Sequence, residues 1–80
     1  MDTHGTTQAD LQHFGCFVRA ERKRQGLTQA RLAPQIGVSV SFLGHIERAA
    51  RVPSVETVVA LVRILHLSLD DLKILTIPRC

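Results

Sequence analysis

Apolar residues recur along the chain at helical spacing, and no strand pattern emerges. The first periodic stretch runs from about Asp10 to Gln25, with Phe14, Val18 and Arg22 at i, i+4 spacing on one face and Gly26 as its stop. Leu27 then anchors a turn, and Thr28 is suited to cap a second, short helix to about Ile36 with Leu32, Ala33 and Ile36 facing inward. Pro34 falls inside that helix, where it removes one i→i−4 hydrogen bond and should kink the helix or end it early. Gly37-Val38 makes a tight turn into Ser39, the cap of a third helix to about Arg48. A polar stretch ending in Val52-Pro53 follows. Ser54 caps a fourth helix to about Leu65, whose expected core face is Val55, Val58, Leu61, Val62 and Leu65.

Ser68-Leu69-Asp70-Asp71 resembles a capping box with aspartate in the acidic position, opening a fifth helix to about Leu75. Residues 1–9 are polar and aperiodic and read as a frayed arm without Arg or Lys. The pattern therefore predicts an all-α fold of five short helices in one domain over residues 10–77, with a tail at 78–80.

Composition agrees with a folded domain: of 80 residues, 45% are hydrophobic and 21% charged. Such a length supports one modest core, with little room for an elaborate catalytic pocket. The net charge of +3 is less informative than its placement. Residues 19–51 carry a net +5 and the remainder −2, so the middle of the chain faces a polyanion. Cys16 and Cys80 lie far apart and nothing resembles a secretory signal, which points to reduced cysteines in a cytoplasmic protein. No apolar run approaches the roughly 20 residues of a membrane span.

On a helical wheel the third helix places Val40, Ser41, Gly44, His45 and Arg48 on one face, with Leu43 and Ile46 opposite. A helix with a dry back and a small, partly polar front fits the major groove, where base edges are read. The run Gly26-Leu27-Thr28-Gln29, Leu32-Ala33, Ile36-Gly37-Val38-Ser39, Phe42-Leu43, Ile46-Glu47-Arg48, Pro53-Ser54 and Leu67-Ser68 resembles the phage repressor/Cro family of helix-turn-helix regulators. The agreement extends from about Phe14 to Leu72.

The resemblance implies that Val40, Ser41 and His45 reach base edges, although none is a bidentate Arg, Gln or Asn. It places Thr28, Gln29 and Ser39, at helix N-termini, with Arg48 and Arg51 on the DNA backbone. It also implies a buried ion pair between Arg22 and Glu47 linking the first and third helices. The run Arg22-Lys23-Arg24 reads equally as a solvated helix end or a DNA-facing cluster. Phe42 reads as a plug at the core edge or a contact to a sugar.

Two departures stand out: Ala49-Ala50 replaces the usual glycine after the recognition helix, and Gly44 replaces a more common serine. Ala49 in a left-handed conformation would be strained, so either the helix ends differently or the following loop takes another path. His66 stands where a helix-ending glycine is common and suits the negative end of the helix dipole. His13 and Cys16, at i, i+3, lack the further ligands a metal site needs.

Phe17, Val59, Ile64, Ile74 and Ile77 exceed what the core stripe needs, which favours a homodimer through the fourth and fifth helices and the tail. The expected function is that of a dimeric, sequence-specific transcription regulator, a repressor reading a palindromic operator in double-stranded DNA. The alternative is a protein-interaction, coactivator-like or antitoxin module on the same fold. No nucleophile with a base and orienter, no phosphate-cradling glycine loop, no metal set and no small-molecule site is evident, so neither an enzyme nor a cofactor is expected.

Overall fold

The computed structural model describes residues 7–67, which form four helices: α1 (Gln8–Arg24), α2 (Gln29–Gln35), α3 (Val40–Glu47) and α4 (Val55–Leu65). The fifth helix expected from Ser68 to Leu75, the tail and residues 1–6 of the expected arm lie outside the described residues.

Each helix opens on a hydroxyl. Thr7, Thr28, Ser39 and Ser54 hold extended backbone, and their side-chain oxygens accept the N–H of Asp10, Arg31, Phe42 and Thr57 respectively. Helix α1 thus begins at Gln8, two residues before the expected start. The cause is a reciprocal capping box: the Thr7 N–H donates to Asp10 Oδ2 at 3.1 Å while the Asp10 N–H donates to Thr7 Oγ1 at 3.1 Å.

Each helix also closes alike, with a backbone bond spanning five residues behind one left-handed position. The pairs are Leu27 N–H to Arg22 O, Val38 to Ala33, Ala50 to His45 and Leu67 to Val62. The residues before these donors are Gly26, Gly37, Ala49 and His66, with φ of 75°, 76°, 60° and 58°. Ala49 therefore takes the path of a glycine rather than rerouting the loop. Helix α2 runs through Pro34, which is exposed, and ends one residue later at Gln35.

Val18, Leu32, Ala33, Ile36, Leu43, Leu61, Leu65 and Leu67 form the core. One expectation for α4 is corrected: Val55 is 78% exposed, while Thr57 is buried. Val55 falls about 120° around the helix from Leu61, whereas Thr57 shares the Leu61 and Leu65 stripe at i, i+4, i+8. The Thr57 hydroxyl is satisfied at 3.0 Å by Ser54 Oγ, which removes the cost of burying it. Phe17 and Ile64, expected as surplus, are half-buried and pack against the core.

Helices α1 and α3 meet backbone to backbone at Gly15, where a Cβ would lie 2.6 Å from the Ile46 carbonyl oxygen and 2.7 Å from that of Glu47. This approach fixes how far α3 stands from α1. No helix among the described residues is long and apolar enough to cross a membrane.

Candidate nucleic-acid interface

Helices α2 and α3 are joined by the tight turn at Gly37 and Val38, whose chain reversal presents one side of α3 to solvent. Leu43 and Ile46 anchor its back in the interior, while Val40 remains 45% exposed. Ser41 is exposed and His45 half-buried on the same side. Those three residues form the outer surface of the helix. Gly44, expected among them, is buried instead. A Cβ on it would meet Arg48 Nη1 at 3.1 Å and Gln29 Nε2 at 3.6 Å, so the Arg48 side chain folds back over this glycine. Arg48 Nη2 also stands 3.3 Å from His45 Nδ1.

A charged network supports α3 from beneath. Glu47 is 4% and Arg22 7% exposed, and they meet at Nε–Oε2 2.7 Å and Nη2–Oε1 3.0 Å. The Arg22 Nη1 donates to Leu27 O at 2.8 Å, and Gln29 Nε2 donates to Glu47 Oε1 at 3.0 Å. The Arg22–Glu47 pair thereby ties α1, the α1–α2 turn, the start of α2 and the end of α3 together. The Gln29 side chain belongs to this network as well as to the surface. Buried and doubly hydrogen-bonded, the pair orients α3 through geometry more than through charge attraction.

The Arg22-Lys23-Arg24 run does not act as one cluster. Arg22 is buried in the ion pair, Arg24 donates to Glu21 Oε1 at 2.6 Å through Nη2, and Lys23 is exposed. Arg51 lies beyond α3 with its guanidinium carbon 5.8 Å from the centre of the Phe42 ring, within cation–π range. Phe42 is half-buried and so borders both the interior and Arg51. The helix-cap residues Thr28 and Ser39 are exposed at the ends of α2 and α3 that begin the motif. Around the α1–α3 seam, Arg19 enters the same cleft as Gln29 and Arg48. Sequence reasoning counted Arg19 only within the net charge of residues 19–51 and gave it no site, since a single arginine on α1 carries no motif.

His13 is exposed, and Cys16 is disulfide-bonded rather than the reduced thiol expected, so it brings no thiolate to His13. Among the described residues no group of three His, Cys, Asp or Glu side chains is placed to hold a metal ion. Of the expected dimer residues, Val59 is 46% exposed, as Val52 and Val55 are exposed too, and Ile64 turns inward. Ile74 and Ile77 lie outside the described residues.

Residues 13–74 match the family model described as "Helix-turn-helix domain". The chain is 42% identical over 63 residues to an uncharacterized HTH-type transcriptional regulator, YazB, of Bacillus subtilis, covering 79% of this chain and 91% of that protein. It is 30% identical over 64 residues to the ImmF control region 10 kDa protein of Bacillus phage phi105, covering 80% and 71% respectively. Its structure is similar to that of the restriction-modification controller protein C.AhdI from Aeromonas hydrophila, with a TM-score of 0.72 and 34% identity. That similarity covers 80% of this chain and 97% of the controller.

Proposed function

The chain belongs to the helix-turn-helix family of the phage repressor/Cro type, and from that premise we propose that it is a transcription regulator that represses by occupying a palindromic operator as a homodimer. The observation that carries this reading is the outer face of α3. Val40, Ser41 and His45 project there from a helix whose back is locked into the core and whose end is held by the Arg22–Glu47 pair.

In this reading α3 enters the major groove. Ser41 and His45 exchange hydrogen bonds with base edges and Val40 meets a thymine methyl. The cap residues Thr28 and Ser39, the N-terminus of α2 with Gln29, and the cations Arg48 and Arg51 contact the backbone and set register. The regulatory names of the relatives, a transcriptional regulator, a phage control-region protein and a restriction-modification controller, support the same class of activity.

The dimer rests on Val52, just before α4, and on Val55 and Val59 of its outer side, three valines that stay outside the core. A two-fold axis through that side, with Ile74 and Ile77 contributing, would set two recognition helices roughly 34 Å apart, one turn of the duplex.

The test is selection of duplexes from a random pool, followed by titration of selected and random DNA and sedimentation of the complex. The expected result is a preference of at least about a thousandfold for the selected site, with two protomers bound. Absence of any preference overturns this reading in favour of a protein-interaction module.

A further inference from the structure

Between α1 and the end of α3 lies an open cleft of about 610 Å³, with Gln12 and Arg19 on one wall and Gln29 and Arg48 on the other. We propose that Arg19, Gln29 and Arg48 form a single clamp for one backbone phosphate of duplex DNA, with Gly44 leaving room for the Arg48 guanidinium. The proposal rests on the DNA-binding reading above and extends it to a helix outside the helix-turn-helix unit.

Three features favour an oxyanion. First, the cleft is cationic even though Glu47 lines it. The Glu47 carboxylate already accepts from Arg22 Nε and Nη2 and from Gln29 Nε2, so Arg19 and Arg48 have no competing anion among the described cleft residues. Second, two donors are held in place before any ligand arrives. The Gln29 amide is pinned at 3.0 Å to a carboxylate that is itself pinned to α1. The Arg48 guanidinium lies over Gly44, steadied by His45 Nδ1 at 3.3 Å, and a Cβ at position 44 would crowd it at 3.1 Å from Nη1. Ordering these groups beforehand reduces the entropy lost on binding.

Third, the donors come from three helices. Arg19 is half-buried on α1, Gln29 is the first residue of α2 and Arg48 follows the last residue of α3. A guanidinium presents a planar fork of donors suited to phosphate. Arg48 therefore serves the strand beside α2 instead of reaching beyond the far end of α3. A duplex against the outer face of α3 carries its backbone past the mouth of this cleft.

The test uses the full chain and fluorescence anisotropy on selected and random duplexes over a range of KCl concentrations. Arg19→Gln is expected to weaken binding to both duplexes by the same factor and to lower the slope of log K against log salt by part of the about 0.9 that one phosphate contact is worth, with Arg48→Ala added to it bringing the loss to that value and no further. Arg19→Lys, which keeps the charge, should retain the wild-type slope, and so should Lys23→Gln, placed outside the cleft on the same helix. A wild-type slope in Arg19→Gln, a slope lost equally in Lys23→Gln, or a changed sequence preference in Arg19→Gln overturns the clamp. Wild-type protein that binds duplexes without preference overturns the regulator reading alone, because the Arg19 slope still reports on the phosphate. Wild-type protein that binds no duplex overturns both.

Discussion

Gly15 of α1 lies against the carbonyl of Ile46 at the end of α3, leaving no space for even one carbon: a Cβ there would stand 2.6 Å from the oxygen. The obstacle is backbone on both sides, and the Glu47 carbonyl at 2.7 Å closes the second direction. Alanine normally favours a helix interior over glycine by about 1 kcal/mol. Here the clash dominates, because relieving it moves α3 away from α1 and stretches the Arg22–Glu47 bonds. Gly15→Ala is expected to destabilise the domain by about 1–3 kcal/mol net, read as a lower urea midpoint with an unchanged m-value. A variant as stable as wild type would show that α3 shifts freely.

The buried pair gives a second expectation. Glu47→Leu strands the Arg22 guanidinium in the interior and should cost about 3–5 kcal/mol, a large share of the stability of a small domain. Arg22→Met strands the carboxylate and also leaves the Leu27 carbonyl without its 2.8 Å donor. The double variant Arg22→Met/Glu47→Leu should recover most of the loss but not all, because that carbonyl stays unsatisfied. A double-mutant cycle by thermal and urea unfolding measures this. Additive losses would mean the two side chains stabilise independently.

The capping box makes the start of α1 sensitive to acid. The Thr7 N–H, followed by the Thr7 hydroxyl, holds the Asp10 carboxylate below the usual aspartate range. A depressed folded value means that the bond stabilises α1 above the ordinary aspartate pKa of about 3.9. That contribution fades as pH falls from there through the lower folded value. An NMR titration of Asp10 should therefore give a midpoint below that of an unstructured peptide, and Thr7→Ala should raise it toward the peptide value. An identical midpoint in both proteins would show that the Thr7 hydroxyl adds nothing to the bond from the backbone N–H, which the variant retains.

How legible these features were depended on how local their causes are. Thr28, Ser39 and Ser54 announce their helices because a hydroxyl bonds a neighbour three residues away. Thr7 does the same chemistry, yet it stood in an aperiodic polar run that gave no reason to start a helix there. Val55 was placed in the core and Thr57 passed over because valine outranks threonine in hydrophobicity, while the Ser54 hydroxyl makes burying Thr57 inexpensive. Gly15 left no trace, since its requirement comes from a carbonyl 31 positions away in the chain. The burial of Gly44 was equally hidden, because it depends on the direction taken by the long Arg48 side chain.

Two of the four helix ends carry strain that glycine would remove. His66 is exposed with φ of 58°, so His66→Gly relieves about 1 kcal/mol of left-handed strain without losing packing. The expected result is a Tm higher by about 4–8 °C. Ala49 has nearly the same φ, 60°, but is only 8% exposed. Ala49→Gly gives up a buried methyl group worth about 0.8 kcal/mol, which offsets the relief, so its Tm should stay close to wild type. Equal gains from both variants would mean that the Ala49 methyl contributes nothing to packing.

The contact between His45 Nδ1 and Arg48 Nη2 at 3.3 Å complicates the separation of base reading from backbone contact. His45→Ala removes a group proposed to face a base and also releases the Arg48 guanidinium, so a loss of affinity alone would not assign its role. The two effects separate in the Arg48→Ala background. Arg48→Ala by itself should weaken selected and random duplexes alike and reduce the salt slope by part of the about 0.9 of one phosphate contact, since Arg19 stays on the same phosphate. If His45 reads a base, adding His45→Ala to Arg48→Ala should still lower the preference for the selected site, by the about 1–3 kcal/mol of one good base contact at most. If His45 only positions Arg48, the double variant should match Arg48→Ala on every duplex. The reading face proposed for α3 requires the first result, and competitive titration of the selected site against single-position variants would show which base pair His45 faces.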